Sequence, residues 1–341
     1  MEPVHESIFS SAIRSFCKAF AGMIGVFFSF LPIIFLFASL IPSGQVEVSK
    51  AEVAFLPDLN GSAKMQGPTT PVVLQLSIEG TIGDEEGVLA KEIERQLIES
   101  RKGMFSGDRV KAILLSVNTP GGTVFDSDRI YRLIKEYKKT HNVPVYAYVD
   151  GLCASGGMYI SCSADQIYSS SSSIIGSVGI VFGPFFNFSQ LLKNWNIGSK
   201  TLTEGTDKDT FNPLRPWKES EGEMFESIMA YYYNTFVDLV VENRPNIDKK
   251  ELVEEYGAKI FDAPTAKKLG YIDQDAMSYK DALKALLEAA EIDVKKPYQV
   301  AEIKQKKQWL SEFLSNASSS CVQGIFSKKR EGIGIEYKLA P

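Results

Sequence analysis

What is scarce in this sequence narrows its chemistry first. Histidine occurs only as His5 and His141, so neither a His-rich metal site nor a series of imidazole bases can be assembled. The four cysteines, Cys17, Cys153, Cys162 and Cys321, are too few and too scattered for a disulfide scaffold. No two of them have the spacing of zinc ligands. A basic excess is also missing: 42 acidic against 37 basic side chains give a net charge of −5. That balance offers no field for gripping phosphates, and nucleic acid is not an expected partner. With 44% apolar residues and 26 Gly in 341, the chain is neither disordered nor collagen-like. No metal or other cofactor is called for.

What is present begins with a long apolar run. No charged residue lies between Ala19 and Val46, and the stretch 19–42 has the length of a membrane-spanning helix. A cleaved signal peptide, the alternative, would have a shorter apolar region followed by small residues at the cleavage site. Pro32 is tolerable within a span. Arg14 and Lys18 precede it and only Lys50 follows closely, so residues 1–18 are expected in the cytoplasm and the body outside. In an exported body Cys153, Cys162 and Cys321 could form disulfides, although buried free thiols are the plainer expectation.

Residues 43–70 mix Gly, Ser, Pro and charges and read as a tether. From Pro71 onward, strand and helix alternate. Strands are expected at 71–80, 110–117 and 143–149, with helices at 85–100 and 127–140 between them. Short β-branched runs alternating with amphipathic helices predict an α/β domain, a largely parallel sheet covered on both faces, over 71–295. Sites in such folds form at the carboxyl ends of strands. A long helix over 220–243 carries an apolar stripe suited to core or to a subunit contact. Residues 296–341 read as a peripheral extension beginning with a short helix near 303–314.

Two strand ends carry loops of chemical interest. Asn118-Thr119-Pro120-Gly121-Gly122 could expose backbone amides as an oxyanion hole does, although a plain turn would look the same. Ser155, followed by Gly156 and Gly157, stands at a strand-to-helix junction, the position of a nucleophile or simply of a helix N-cap. His141 lies at the wrong end of the domain and His5 ahead of the apolar run, so a Ser-His-Asp triad is excluded. Serine can instead be activated by a lysine held neutral through burial or a nearby cation. Lys193, Lys200 and Lys208 all follow Ser155; Lys208 stands out in the flexible loop Gly205-Thr206-Asp207-Lys208-Asp209, although spacing alone does not choose it.

The succession NTPGG, CASGGMYIS, ADQIYSS, IIGSVGIVFG and EGTDKDTFNP, running from Val72 to Asp273, resembles the bacterial signal peptide peptidase A (protease IV) family of membrane-anchored serine proteases. The resemblance implies a Clp protease/crotonase-like fold, with Ser155 as nucleophile, Lys208 as general base and Ser177 orienting the lysine. It implies that the amides of Gly122 and Gly156 form the oxyanion hole. The short gap between Ser155 and Lys208 resembles the single-domain form of the family. Signal peptides and other extended apolar peptides would be substrates, at the outer side of the bacterial inner membrane. The active form would be a homo-oligomer in which serine and lysine meet across a subunit boundary. Met158 and Thr119 depart from the commoner Tyr and Ser at positions that look like packing or backbone support. A crotonase-like acyl-CoA enzyme and a non-catalytic membrane scaffold of the same fold are the competing readings.

Overall fold

The computed structural model describes residues 13, 15–26, 28–30 and 52–304. It divides into two units, 1–50 and 51–341, each considered by itself. In the first, residues 15–26 and 28–30 are helical with exposed side chains. No helix among the described residues is long and apolar enough to cross a membrane. The second half of the expected span over 19–42 lies outside the described residues, as does the expected helix near 303–314 beyond Lys304.

The second unit is mixed α/β, built on one eight-stranded sheet. Its strands are β1 (Glu52–Leu56), β2 (Val72–Glu79), β3 (Val110–Thr119), β4 (Val145–Ala154), β5 (Gln166–Ser169), β6 (Ile174–Gly176), β7 (Ile260–Asp262) and β8 (Gln299–Lys304). The order is β1-β8-β2-β3-β4-β6-β7, with β5 also pairing β4. Pairing is parallel from β8 through β2, β3 and β4 to β5 and β6. Only the outermost partners, β1 and β7, run antiparallel. Parallel strands covered on both faces need apolar residues on both sides, which explains the continuous run of β3. There Ile113, Leu115 and Val117 enter the larger core, and Ala112 and Leu114 enter a second core on the opposite face.

Its α-helices of six residues or more are α1 (Ala90–Glu99), α2 (Val124–His141), α3 (Gly156–Ser161), α4 (Ser189–Asn194), α5 (Glu223–Asn243), α6 (Ala263–Lys268) and α7 (Tyr279–Ala289). Ile93, Ile130, Ile134, Phe236 and Val240 from α1, α2 and α5 fill the larger core, and Leu283, Leu286 and Leu287 of α7 fill the smaller. Helix α2 begins three residues ahead of its expected start, because Thr123 Oγ1 accepts from Asp126 N and caps it. Helix α1 begins five residues late: residues 81–88 instead fold back on themselves, with Val88 N donating to Thr81 O at 3.2 Å.

The structure moves both expected boundaries of the body. β8 belongs to the sheet, inserted between β1 and β2, so the segment opening at 296 is not a peripheral extension at this point. The region read as a tether contributes β1. At the far end of the domain, Arg244 reaches from the end of α5 to form a two-pronged ion pair with Asp273 at 2.8 and 3.0 Å.

Candidate active site

The site grows from the carboxyl end of β4. Its first half pairs with β5, over 146–149, and its last three residues pair with β6. The break between them is Gly151, with φ 122°, where a Cβ would stand 2.6 Å from Asn118 Oδ1. That oxygen accepts instead from Leu152 N at 3.0 Å, so the end of β3 supports the continuation of β4. The serine-rich turn braces the same place, Ser173 Oγ donating to Val149 O at 2.9 Å.

One residue past β4, Ser155 takes φ 54° and ψ −115°. A non-glycine residue adopts this conformation only where its surroundings impose it. Ser155 N donates to Gly176 O at 2.9 Å, holding the turn to the end of β6. The residue is 1% exposed, and its Oγ has no hydrogen-bond partner among the described residues. It does not cap α3, so the helix-cap explanation fails. A buried hydroxyl without a partner costs about 1–3 kcal/mol, and here it sits at the N-terminus of a helix, on a strained strand-to-helix turn.

The 80–88 and 118–123 loops close beside it. Thr119 Oγ1 donates to Gly80 O at 2.5 Å and accepts from Gly121 N at 3.1 Å. Ile82 N donates to Gly121 O, and Thr123 N to Ile82 O, both at 2.9 Å. This bridge faces Gly122 so tightly that a Cβ there would lie 1.9 Å from Ile82 O. A Cβ on Gly156 would meet Ser127 Oγ at 2.4 Å and approach Gly122 N to 3.4 Å. The two glycines are therefore neighbours, and neither amide donates to an acceptor among the described residues. Met158 and Thr119 are both buried, in the supporting positions expected of them.

Ser177 follows Gly176 as Ser155 follows Ala154, and Ala154 and Gly176 are paired across β4 and β6. It is 4% exposed with φ 58°, fixed by its N–H to Lys259 O at 2.7 Å. The structure thus brings Ser155, Gly156, Gly122 and Ser177 together. Among the described residues, Lys208 makes no hydrogen bond to any of them. That lysine is exposed on an arm, residues 181–222, and has no ion pair among the described residues. The arm is organised by aromatic contacts, Phe211 stacking on Phe185 at 4.2 Å and meeting Trp217 and Phe225. Val181, Phe186, Trp195, Ile197, Leu202 and Leu214 remain exposed on it.

Three supporting residues escaped the sequence: Asn118 as the brace of β4, Ile82 as the bridge to Gly122, and Ser127 beneath Gly156. Ile82 could have been suspected only from the Gly80-Thr81-Ile82-Gly83 spacing after a strand. Cys153 and Cys162 are free and buried, and desolvation pushes both thiols up to about 12, which leaves them unreactive near the nucleophile. No group of three metal-ligating side chains occurs among the described residues.

Residues 137–293 match peptidase family S49, and residues 72–184 match the N-terminal domain of NfeD1b. A protein of Enterococcus faecium provisionally described as signal peptide peptidase SppA is 29% identical over 225 residues, 65% of this chain and 64% of its own. A provisionally described protease of Methanocaldococcus jannaschii is 33% identical over 202 residues, 59% of this chain and 63% of its own. The chain therefore spans slightly under two thirds of the length of these relatives. Among solved structures, a ClpP1 variant from Listeria monocytogenes is similar with a TM-score of 0.41 and 17% identity, over 61% of this chain and 94% of that one.

Proposed function

We propose, from the match of residues 137–293 to peptidase family S49, that the chain is a serine endopeptidase that degrades signal peptides left in the membrane after precursor processing. The observation that carries this reading is the Ser155 hydroxyl, buried and unpartnered on a strained turn beside two amides that lack acceptors. A crotonase-like enzyme needs the two amides but not that serine, and a scaffold needs neither.

In the proposed reaction the neutral amine of Lys208 takes the proton of Ser155 Oγ as the oxygen attacks the scissile carbonyl. The negative charge formed on the carbonyl oxygen is received by the N–H groups of Gly122 and Gly156. The lysine ammonium then protonates the departing amine, and the C–N bond breaks to leave an acyl ester on Ser155. Water, deprotonated by the same amine, hydrolyses the ester and restores the serine. Ser177, one residue beyond the carbonyl that holds Ser155, would orient the lysine.

The exposed position of Lys208, unbonded to Ser155 within one chain, supports a site completed by a neighbouring copy, and with it a homo-oligomer. The apolar surface of the arm is the kind that subunit contacts cover. A cavity of about 320 Å³ between Val178–Ile180, Ala258 and Met229, Ala230 and Tyr233 of α5 is lined by no charged side chain, which supports apolar substrate side chains. Retention of the 19–42 segment as an anchor, with the body on the outer side of the cytoplasmic membrane, completes the proposal. The uncharged stretch preceded by Arg14 and Lys18 supports it.

The test is hydrolysis of a Leu- and Ala-rich peptide. Ser155→Ala and Lys208→Ala should each lower kcat/KM by about 10²-fold or more with the circular dichroism spectrum unchanged. Retention of more than about a tenth of the activity in Lys208→Ala would overturn the assignment of the base.

A further inference from the structure

Lys208 stands between two carboxylates, Asp207 and Asp209, with Glu204 four residues earlier. An ammonium pairs readily with such neighbours, and a paired ammonium holds its proton. Yet neither aspartate pairs with Lys208. Across the turn the Arg215 guanidinium grips Asp209, Nε to Oδ2 at 2.8 Å and Nη2 to Oδ1 at 3.0 Å, and Nη2 also donates to the Asp209 carbonyl at 3.0 Å. Nη1 and Nη2 together grip Glu221, each at 3.0 Å. The Glu221 side chain is 5% exposed and also accepts from Phe211 N at 2.6 Å and Lys218 N at 3.1 Å. Asp207 faces the Lys218 ammonium at 3.5 Å, a looser contact between two exposed groups. Glu204 and Glu219 are the other charged residues of the 204–221 segment. Among the described residues, no side chain of another element pairs with it.

We propose that Arg215 is a positioning residue for Lys208: by engaging the Asp209 carboxylate on the far side of the 207–221 turn, it denies that carboxylate to the lysine and leaves the amine free to give up its proton. The proposal rests on the reading of Lys208 as general base. A planar guanidinium can hold two carboxylates by two bonds each, which a lysine cannot do, so the arrangement needs arginine. The hydrogen bonds from Arg215 hold Asp209 below the usual carboxylate range and Glu221 down to about 2. Both therefore stay ionised and bound to Arg215 throughout the range in which amines titrate.

The experiment is a titration of the full chain in detergent micelles, its lysines carrying ¹³C-methyl groups, with the Lys208 signal identified by its loss in Lys208→Arg. In Arg215→Gln the midpoint should rise by about half a pH unit, the scale of one exposed charge pair. Hydrolysis on the acid limb of the pH profile should fall about 3-fold in step with it. Adding Asp209→Asn to Arg215→Gln should return the midpoint to its original position. A turn that had merely lost its brace would not recover when a second bonding group is removed, so the double variant separates charge from collapse. A midpoint unmoved by Arg215→Gln, or moved and not returned by Asp209→Asn, overturns the proposal. The titration needs no turnover, so it can fail while Ser155 and Lys208 prove essential, and it can succeed where they do not.

Discussion

At position 155 a side chain occupies backbone space that suits glycine. With φ 54° and ψ −115°, Ser155 carries strain of about 1–3 kcal/mol that the surrounding strands must supply. Ser155→Gly should therefore be more stable than Ser155→Ala by about 1 kcal/mol, after the extra unfolded-state entropy of glycine is taken off. Both variants lack the hydroxyl, so thermal unfolding compares them directly, and the expected difference in Tm is roughly 2–4 °C. Equal Tm values would show that the turn is not strained. At this scale part was legible beforehand: the 118–122 loop and Ser155 with Gly156 stand past strands, among small residues, where a parallel sheet presents its chemistry, whereas Ser177 was named only through the resemblance. Lys208 was not legible from spacing, because it lies on an arm outside the sheet, where no pairing register constrains a side chain. Its assignment depended on the EGTDKDTFNP resemblance. Asn118, Ile82 and Ser127 were hidden for another reason, since each acts on the backbone of a segment distant in sequence.

Among the elements, the alternation of strands and helices from Val72 to Val149 could be read directly, while β8 could not. It is six residues long, and two of them, Gln299 and Glu302, are polar and buried. Each is satisfied by a remote partner: Gln299 Oε1 accepts from Gln66 N, and Glu302 Oε1 from Ser77 Oγ, both at 2.8 Å. Polar residues paired in this way erase the apolar signature of a buried strand. The consequence is testable by truncation. A chain ending at Lys295 loses Tyr298, Val300, Ala301 and Ile303 from the two cores and leaves one edge of β2 unpaired. It should fail to yield folded soluble body, whereas a chain ending at Lys304 should match the full chain in Tm. Survival of the shorter form with an unchanged Tm would show that β8 is dispensable.

For the whole molecule, an exposed Lys208 that makes no bond to the buried Ser155 predicts complementation under the proposed function. Ser155→Ala and Lys208→Ala proteins, each inactive alone, should regain part of the wild-type activity when mixed, because some contacts would join an intact serine to an intact lysine. No recovery in mixtures shown by sedimentation to exchange subunits would mean that each site is built within one chain. A last consequence comes from β4, which serves β5 with its first half and β6 with only its last three residues. The sheet is thus laid in two storeys, and Ser155 and Ser177 both stand on the upper, narrower one. Partly independent layers open separately in native proteins, so the upper storey can lift while the wider pairing of β2, β3 and lower β4 remains closed. Amide exchange would record that event as early loss of protection at Leu152–Ala154 and Ile174–Gly176. In that state the protein would be folded yet disarmed.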